Sequence, residues 1–250
     1  MYDIALPHGN ENELLEKYRE LGYKYVIFLY LIKSKSELTL FKRENICRIT
    51  KFPGIYCFVG AILDTLSIKD TLHLAAELFY NEKLYNDFLF VKAGNYKYTQ
   101  LLSNKHYFNS ILLDLDAMSS IEDPLQFRYT GFSFTTLKNI IRNNLTICIS
   151  IRNLASYINL GRVLYLIKHA KKKGIPLLLG SFARDVREIP QDIVLRSWYK
   201  LLKIPYTPEE LTNIMLFQLI RTRRAKNKDV FCNGYEIVKY PFEDFEDSDY

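Results

Sequence analysis

Motifs for metal ligation and disulfide formation are missing from this chain. Its four cysteines, Cys47, Cys57, Cys148 and Cys232, lie far apart, and none forms a C-x-x-C pair. Its four histidines show neither H-x-H nor H-E-x-x-H spacing. The sequence therefore predicts neither a zinc site nor a disulfide framework.

Long apolar runs are missing as well. The longest, Tyr25 to Ile32, is bounded by Lys24 and Lys33 and is far shorter than the roughly 20 residues that span a membrane. The first residues show a strand-like pattern, with no basic region followed by a long apolar stretch and a small-residue cleavage site. We therefore expect a soluble, intracellular protein.

Linkers rich in Gly, Ser or Pro and internal repeats are also missing. With 48% apolar and 25% charged residues, the 250-residue chain has the composition of a folded protein. Seven stretches rich in β-branched, aromatic and leucine residues are typical of strands, and several are continuous apolar runs, as in parallel sheets buried on both faces. The predicted strands are 2–6, 25–32, 55–63, 87–91, 111–115, 146–151 and 175–179.

Helical patterns separate these strands. Residues 11–21 place apolar side chains on one face, and Gly22 follows as a favoured C-terminal residue. Strands separated by helices form right-handed β-α-β units. The sequence therefore predicts an α/β fold, a single TIM-like β/α barrel of about seven parallel strands, with a doubly wound open sheet as the alternative. Further helices are predicted over 132–144, 160–173, 190–202 and 208–221.

Charge is distributed unevenly along the chain. The formal net charge is +6, but the last ten residues, PFEDFEDSDY, contain five acids and no base, so that residues 1–240 carry +11 once those five are left out. We expect residues 1–240 to form one barrel domain with a basic C-terminal extension, and residues 241–250 to form a disordered acidic tail. The basic body favours a polyanionic partner, and mere solubilisation by the tail is the alternative.

The functional surface of a β/α barrel is the face at the carboxyl ends of its strands. Residues that follow the predicted strands are therefore candidates for a site. They mix cations and carboxylates, and no three or four of them resemble a metal cluster. They are Pro7, His8, Lys33, Asp64, Lys92, Asp116, Arg152 and 181–185.

Three stretches resemble one known family. They read YDIALPHGNENELLEKYRELGYKYVIFL, then ILLDLD with YTGFSFTTLKNIIRNNLTICISIRNLAS, then RVLYLIKHAKKKGIPLLLGSFARDVREIPQDI. In order and spacing they are similar to the barrel-type protein subunit of archaeal and eukaryotic ribonuclease P, called protein component 3 in archaea. The resemblance is strong over the first thirty residues and over 111–195, and weak over 67–101. Phe182 stands where the family usually has a small residue.

This resemblance implies a subunit of the ribonucleoprotein that removes the 5′ leader of precursor tRNA. In that family the RNA performs the chemistry with Mg²⁺, so we expect this chain to have no catalytic residues and to bind no cofactor. The implied partners are ribonuclease P RNA, the enzyme's small ferredoxin-like subunit, other holoenzyme proteins and, indirectly, precursor tRNA, with no membrane. The expected location is the cytoplasm of an archaeon, which the closer resemblance favours, or the nucleus of a eukaryote.

The family is similar in fold to the polymerase-and-histidinol-phosphatase (PHP) hydrolases, which bind metals at the barrel mouth. Their D-x-H-x-H motif aligns with residues 3–7, so that the histidine positions fall on Ala5 and Pro7 and His8 is out of register by one. Their G-S-D-A-H motif aligns with residues 180–184, where Arg184 replaces the histidine.

Their G-x-E motif aligns with residues 60–62, where the carboxylate is missing. We therefore expect the metal site to be lost. The alternative function is a metal-dependent phosphoesterase of the PHP superfamily, and a scaffold without RNA affinity is a third. The phosphoesterase would use some of the following residues: Asp3, His8, Asp64, Asp116 and Asp185.

Cations at the same mouth favour phosphate binding. Arg184, with Arg152 and Lys92 after neighbouring strands, would give a pocket for phosphate oxygens. The alternative is local ion pairing, of Arg184 with Asp185 or Glu188 and of Arg187 with Asp192.

Two basic stretches add to these cations. KHAKKKG ends a predicted helix, where cations also suit the helix dipole. RTRRAKNK carries five cations in eight residues, a pattern that favours phosphate contacts, with a solvated surface as the alternative. The candidate RNA-binding or partner-binding residues are Lys92, Arg152, Lys171, Lys172, Lys173, Arg184, Arg187, Arg221, Arg223 and Arg224.

Overall fold

A computed structural model of the chain contains one sheet of seven parallel strands, which lie side by side in chain order. The structure describes residues 2–42, 52–65, 67–81, 83–113, 132–154, 157–204, 207–226, 230–232 and 235–236. The strands are β1 (Tyr2–Ala5), β2 (Tyr25–Ile32), β3 (Tyr56–Leu63), β4 (Phe88–Lys92), β5 (Ser110–Leu112), β6 (Thr146–Ser150) and β7 (Leu177–Gly180). A separate antiparallel pair consists of β8 (Val230–Cys232) and β9 (Tyr235–Glu236).

Helices alternate with the strands of the sheet. Three short 3₁₀ segments, Lys35–Phe41, Ile151–Leu154 and Val186–Glu188, follow β2, β6 and β7. Within the described residues no helix has the length and apolar character that crossing a membrane requires. The α-helices are α1 (Glu11–Glu20), α2 (Ile68–Tyr80), α3 (Tyr96–Ser103), α4 (Phe134–Arg142), α5 (Tyr157–Lys173), α6 (Asp192–Leu201) and α7 (Pro208–Lys226).

The sheet closes on itself where β1 meets β7. The Leu6 N–H donates to the carbonyl of Ala183 at 2.8 Å, and the Phe182 N–H donates to the carbonyl of Ile4 at 2.7 Å. Gly180 permits this approach, because a Cβ there would lie 2.8 Å from the Cβ of Ile4. The predicted barrel is thus confirmed as a nearly closed one, and the open-sheet alternative is wrong.

A buried carboxylate joins the same two strands through side chains. Asp3 is fully buried and accepts hydrogen bonds from the Ser181 N–H at 2.8 Å, the Ser181 hydroxyl at 2.6 Å and the Tyr18 hydroxyl at 2.9 Å. Burial raises the pKa of Asp3 above its ordinary value, and the donated hydrogen bonds oppose that rise. Asp3 therefore holds β1, β7 and α1 together.

Side chains of β1 alternate between the barrel interior and the surrounding helices. Ala5 packs outward, in one cluster with Leu14 and Leu15 of α1. Tyr2 and Ile4 belong to the other cluster, on the interior side of this strand. The even-numbered residues of β1 therefore face the interior.

Helix α7 covers the end of the barrel where the strands begin. The Gln218 side-chain amide donates to the carbonyl of Asn109 at 3.2 Å and to that of Asn144 at 3.1 Å. The Asn109 amide donates in turn to the Thr222 hydroxyl at 2.8 Å. Because Asn109 lies one residue before β5 and Asn144 two residues before β6, α7 lies at the amino ends of the strands, opposite the expected functional face.

We call the contact between β1 and β7, with the Asp3 hydrogen bonds that join them, the seam. Replacing Asp3 tests its contribution to stability. We expect Asp3→Ala to lower the free energy of unfolding by about 3 kcal/mol or more, because three buried donors lose their acceptor at about 1–3 kcal/mol each. The control is Glu16→Ala, which removes an exposed carboxylate from α1 and is expected to stay within about 0.5 kcal/mol of the wild type. Urea unfolding measures the free energy of unfolding of both variants. Equally small losses of stability in the two would contradict the role of Asp3 in joining β1, β7 and α1.

The raised pKa of Asp3 also predicts a pH dependence. The folded state holds the Asp3 proton more tightly than the unfolded chain does, where the pKa is about 3.9. The free energy of unfolding of the wild type, measured relative to Asp3→Asn, should therefore fall as the pH rises above about 3.9, and level off above the folded pKa. Denaturant titrations from pH 3 to pH 8 measure this difference, and a rise with pH would contradict it.

Candidate anion-binding site at the barrel mouth

A cavity of about 880 Å³ opens at the carboxyl ends of the strands. Every strand of the barrel supplies residues to it at or just beyond its last position. The lining residues are Leu6, Pro7, His8, Leu29, Leu31, Lys33, Ile62, Asp64, Lys92, Leu112, Ser150, Arg152, Phe182 and Arg184.

These residues form two layers, since inward side chains recur every second residue along a strand. The inner layer is mainly apolar, and the outer layer is mainly charged; in five of the seven segments the outer residue follows the inner one by two positions. We call the outer layer the rim. The inner layer contains Leu6, Leu31, Ile62, Leu112, Ser150 and Phe182, and the rim contains His8, Lys33, Asp64, Lys92, Arg152 and Arg184.

The rim carries four cations and one carboxylate among the described residues. The Lys92 ammonium lies 3.4 Å from a carboxylate oxygen of Asp64, and both side chains are partly buried. Arg152 also forms an ion pair, with Glu188 at 2.9 Å. Lys33 and Arg184 are thus the rim cations without an ion pair in the described ranges, and the cavity favours anions.

Glu188 holds two of the arginines in place. Its Oε2 accepts a hydrogen bond from the Arg152 Nη1 at 2.9 Å and another from the backbone N–H of Arg184 at 2.7 Å. The Arg184 guanidinium itself has no hydrogen bond or ion pair within the described part of the chain. Its donors are therefore available to a ligand.

The local ion pairs considered as an alternative are not formed. Asp185 instead accepts the backbone N–H of Arg187 at 2.9 Å, at the start of the 3₁₀ segment. Asp192 pairs with Arg196 at 2.8 Å. Arg187 is exposed, lies on the loop next to the rim and does not line the cavity.

His8 lies in the interior register, which corrects the sequence prediction. Residues 2, 4 and 6 of the first strand segment face the interior, and His8 follows two positions after Leu6 and lines the cavity. Of the two aligned ligand positions, Ala5 faces the helices, whereas Pro7 lines the cavity beside His8.

The carboxylates named for a phosphoesterase do not gather around His8 in the described structure. Asp3 lies in the seam, Asp185 caps a 3₁₀ segment, and Asp64 pairs with Lys92. Asp116 lies outside the described residues. Within the ranges that the structure describes, no group of three or more His, Cys, Asp or Glu side chains is placed to hold a metal ion.

Three contributors to the cavity were not among the candidate RNA-binding residues, although Lys33 and Phe182 were among the residues expected to follow the strands. Lys33 follows β2 and lines the rim, Ser150 ends β6, and Phe182 lies on the inner layer. Phe182 has a φ of +53°, a left-handed conformation that is costly for a bulky residue. All three lie at or just after the end of a strand, and that position in the sequence could have identified them.

The remaining basic candidates lie away from the mouth. Lys171 and Lys172 are exposed in the last turn of α5, which leads into the amino end of β7. The Lys173 ammonium lies 4.0 Å from the ring centroid of Phe134. Arg221, Arg223 and Arg224 lie near the end of α7, and their side chains, like the acidic tail 241–250, fall outside the described part.

No protein-family model matches the chain, and no curated protein matches it significantly in sequence. Seven chains of solved structures do match. One of them is a chain in the cryo-EM structure of archaeal ribonuclease P with mature tRNA, with a TM-score of 0.72 and 17% identity. The match covers 97% of this chain and 100% of the other. The two chains share one fold.

Proposed function

We propose that the protein is a subunit of ribonuclease P that binds and stabilises the catalytic RNA during removal of the 5′ leader from precursor tRNA. The observation that carries this proposal is the fold shared, over 97% of the chain, with a chain of archaeal ribonuclease P. The sequence resemblance over 111–195 supports the same family independently of that comparison.

The cationic mouth gives the proposal a physical basis. Arg184, Lys33 and Arg152 are exposed at the rim, and an arginine fork can hold two phosphate oxygens at once. Cations that neutralise phosphates release counterions, so binding is strong and depends on salt. In this role the protein lowers the repulsion between RNA strands, and less Mg²⁺ is then needed to fold the RNA.

The proposal extends to partners and location. Mg²⁺ serves the RNA, and this chain binds no cofactor and supplies no catalytic residue. The other partners are the small ferredoxin-like subunit and further holoenzyme proteins, and precursor tRNA is reached through the assembled enzyme. The complex acts in the cytoplasm of an archaeon or the nucleus of a eukaryote.

Reconstitution with ribonuclease P RNA and the other subunits tests the proposal. Adding this chain should raise precursor tRNA cleavage at limiting Mg²⁺ at least tenfold. The double variant Lys33→Glu with Arg184→Glu should lose most of that gain, because it reverses two unpaired rim charges. Reversing Arg221, Arg223 and Arg224 should weaken RNA binding and flatten its dependence on salt.

A matched control makes the same charge change elsewhere. Lys69→Glu with Lys97→Glu alters two exposed lysines of α2 and α3 that do not line the mouth, and it should keep the gain. No gain with the wild-type chain would overturn the proposal. Hydrolysis of a generic phosphoester by the purified chain, lost in His8→Ala, would favour the metal-dependent phosphoesterase instead.

A further inference from the structure

The mouth cavity is larger than contacts to an RNA backbone require. Its volume of about 880 Å³ is in the range of small-molecule sites, about 300–1,000 Å³. Cations alone at the rim would serve to track phosphates, whereas here they surround a mainly apolar hollow. We propose that this cavity receives one unpaired nucleotide of an RNA strand, with its base in the inner layer and its phosphate at the rim.

Phe182 supplies the aromatic surface for the base. It lines the cavity with the little of its surface that is exposed, 3%, while the rest packs in the hydrophobic core. Its backbone is fixed by the hydrogen bond to Ile4 across the seam. It keeps a φ of +53°, although this conformation is unfavourable for a bulky side chain. Strained residues of this kind concentrate at ligand sites, and unstacked RNA bases bind by stacking on aromatic rings.

Ser150 supplies a polar group within the same layer. It is 7% exposed and lines the cavity. Its hydroxyl has no hydrogen bond to any residue in the described ranges, and it is not among the fully buried atoms, so it is open to the cavity. A hydroxyl both donates and accepts, so it can pair with the polar edge of a base or with a ribose hydroxyl.

The rim supplies the phosphate contacts. Arg184 and Lys33 have no ion pair within the described residues, and Arg152 is fixed by Glu188 at 2.9 Å. An inorganic phosphate would satisfy these cations but leave the apolar inner layer in water. A nucleotide satisfies both layers, which is why the two-layer arrangement favours it over phosphate or a sugar phosphate.

This inference rests on the proposed function for the source of the nucleotide, but its test needs only the purified full chain. Calorimetric titration with AMP should show saturable binding at least tenfold tighter than with ribose 5-phosphate or adenosine. A single-stranded oligoadenylate should compete with AMP, as expected for a nucleotide within a strand. Reconstituted cleavage is measured separately, so either result can fail while the other holds.

Variants test whether the inner layer binds the base and the rim binds the phosphate. Phe182→Gly removes the ring and suits the positive φ, and it should weaken AMP binding at least tenfold, to the level of ribose 5-phosphate. Ser150→Ala, a smaller change, should weaken AMP binding several-fold. Arg184→Gln should weaken AMP and ribose 5-phosphate equally. Arg187→Gln, on the same loop but outside the cavity, should change nothing.

Three results would overturn the inference. Equal affinities for AMP and ribose 5-phosphate would show that the inner layer takes no base. Unchanged AMP binding in both Phe182→Gly and Ser150→Ala would place the nucleotide elsewhere. AMP binding without competition by the oligoadenylate would assign the cavity to a free nucleotide instead of an RNA strand.

Discussion

The first and last strands of the barrel are joined by one buried carboxylate. Asp3 on β1 accepts two hydrogen bonds from Ser181, just after β7, and a third from Tyr18 of α1. This seam brings the segments that carry His8 and Arg184 to adjacent positions, although 176 residues separate them in the sequence. A sheet left open between β1 and β7 would have no enclosed mouth, so the candidate site depends on this closure.

The two layers of the mouth result from the alternation of side chains along parallel strands that lie side by side in chain order. In five of the seven segments an inner side chain is followed, two residues on, by a rim side chain, whereas β4 contributes only Lys92 and β5 only Leu112. The inner positions are mainly apolar, which continues the core, and the rim positions are mainly cationic. The rim thus presents cations, which can bind phosphate oxygens directly.

The sequence was sufficient for the strands, the barrel and the cationic mouth, because continuous apolar runs and β-α-β spacing are strong signals. It left α2 and α3 without bounds, although Ser67 and Asn95 accept hydrogen bonds from the first turns of these helices and were recognisable caps. It placed His8 on the wrong face, because alternation determines which residues share a face but not which face is interior. Whether Arg184 or Arg187 pairs locally depended on loop geometry that residue spacing does not encode.

We propose that this barrel is a ribonuclease P subunit whose mouth contacts RNA. A cryo-EM structure of the enzyme reconstituted with this chain tests it most directly. We expect an RNA phosphate within hydrogen-bonding distance of the Arg184 guanidinium or the Lys33 ammonium, at about 2.7–3.2 Å. A chain that is absent from the assembled enzyme, or a mouth that faces solvent or protein while RNA lies elsewhere, would contradict it.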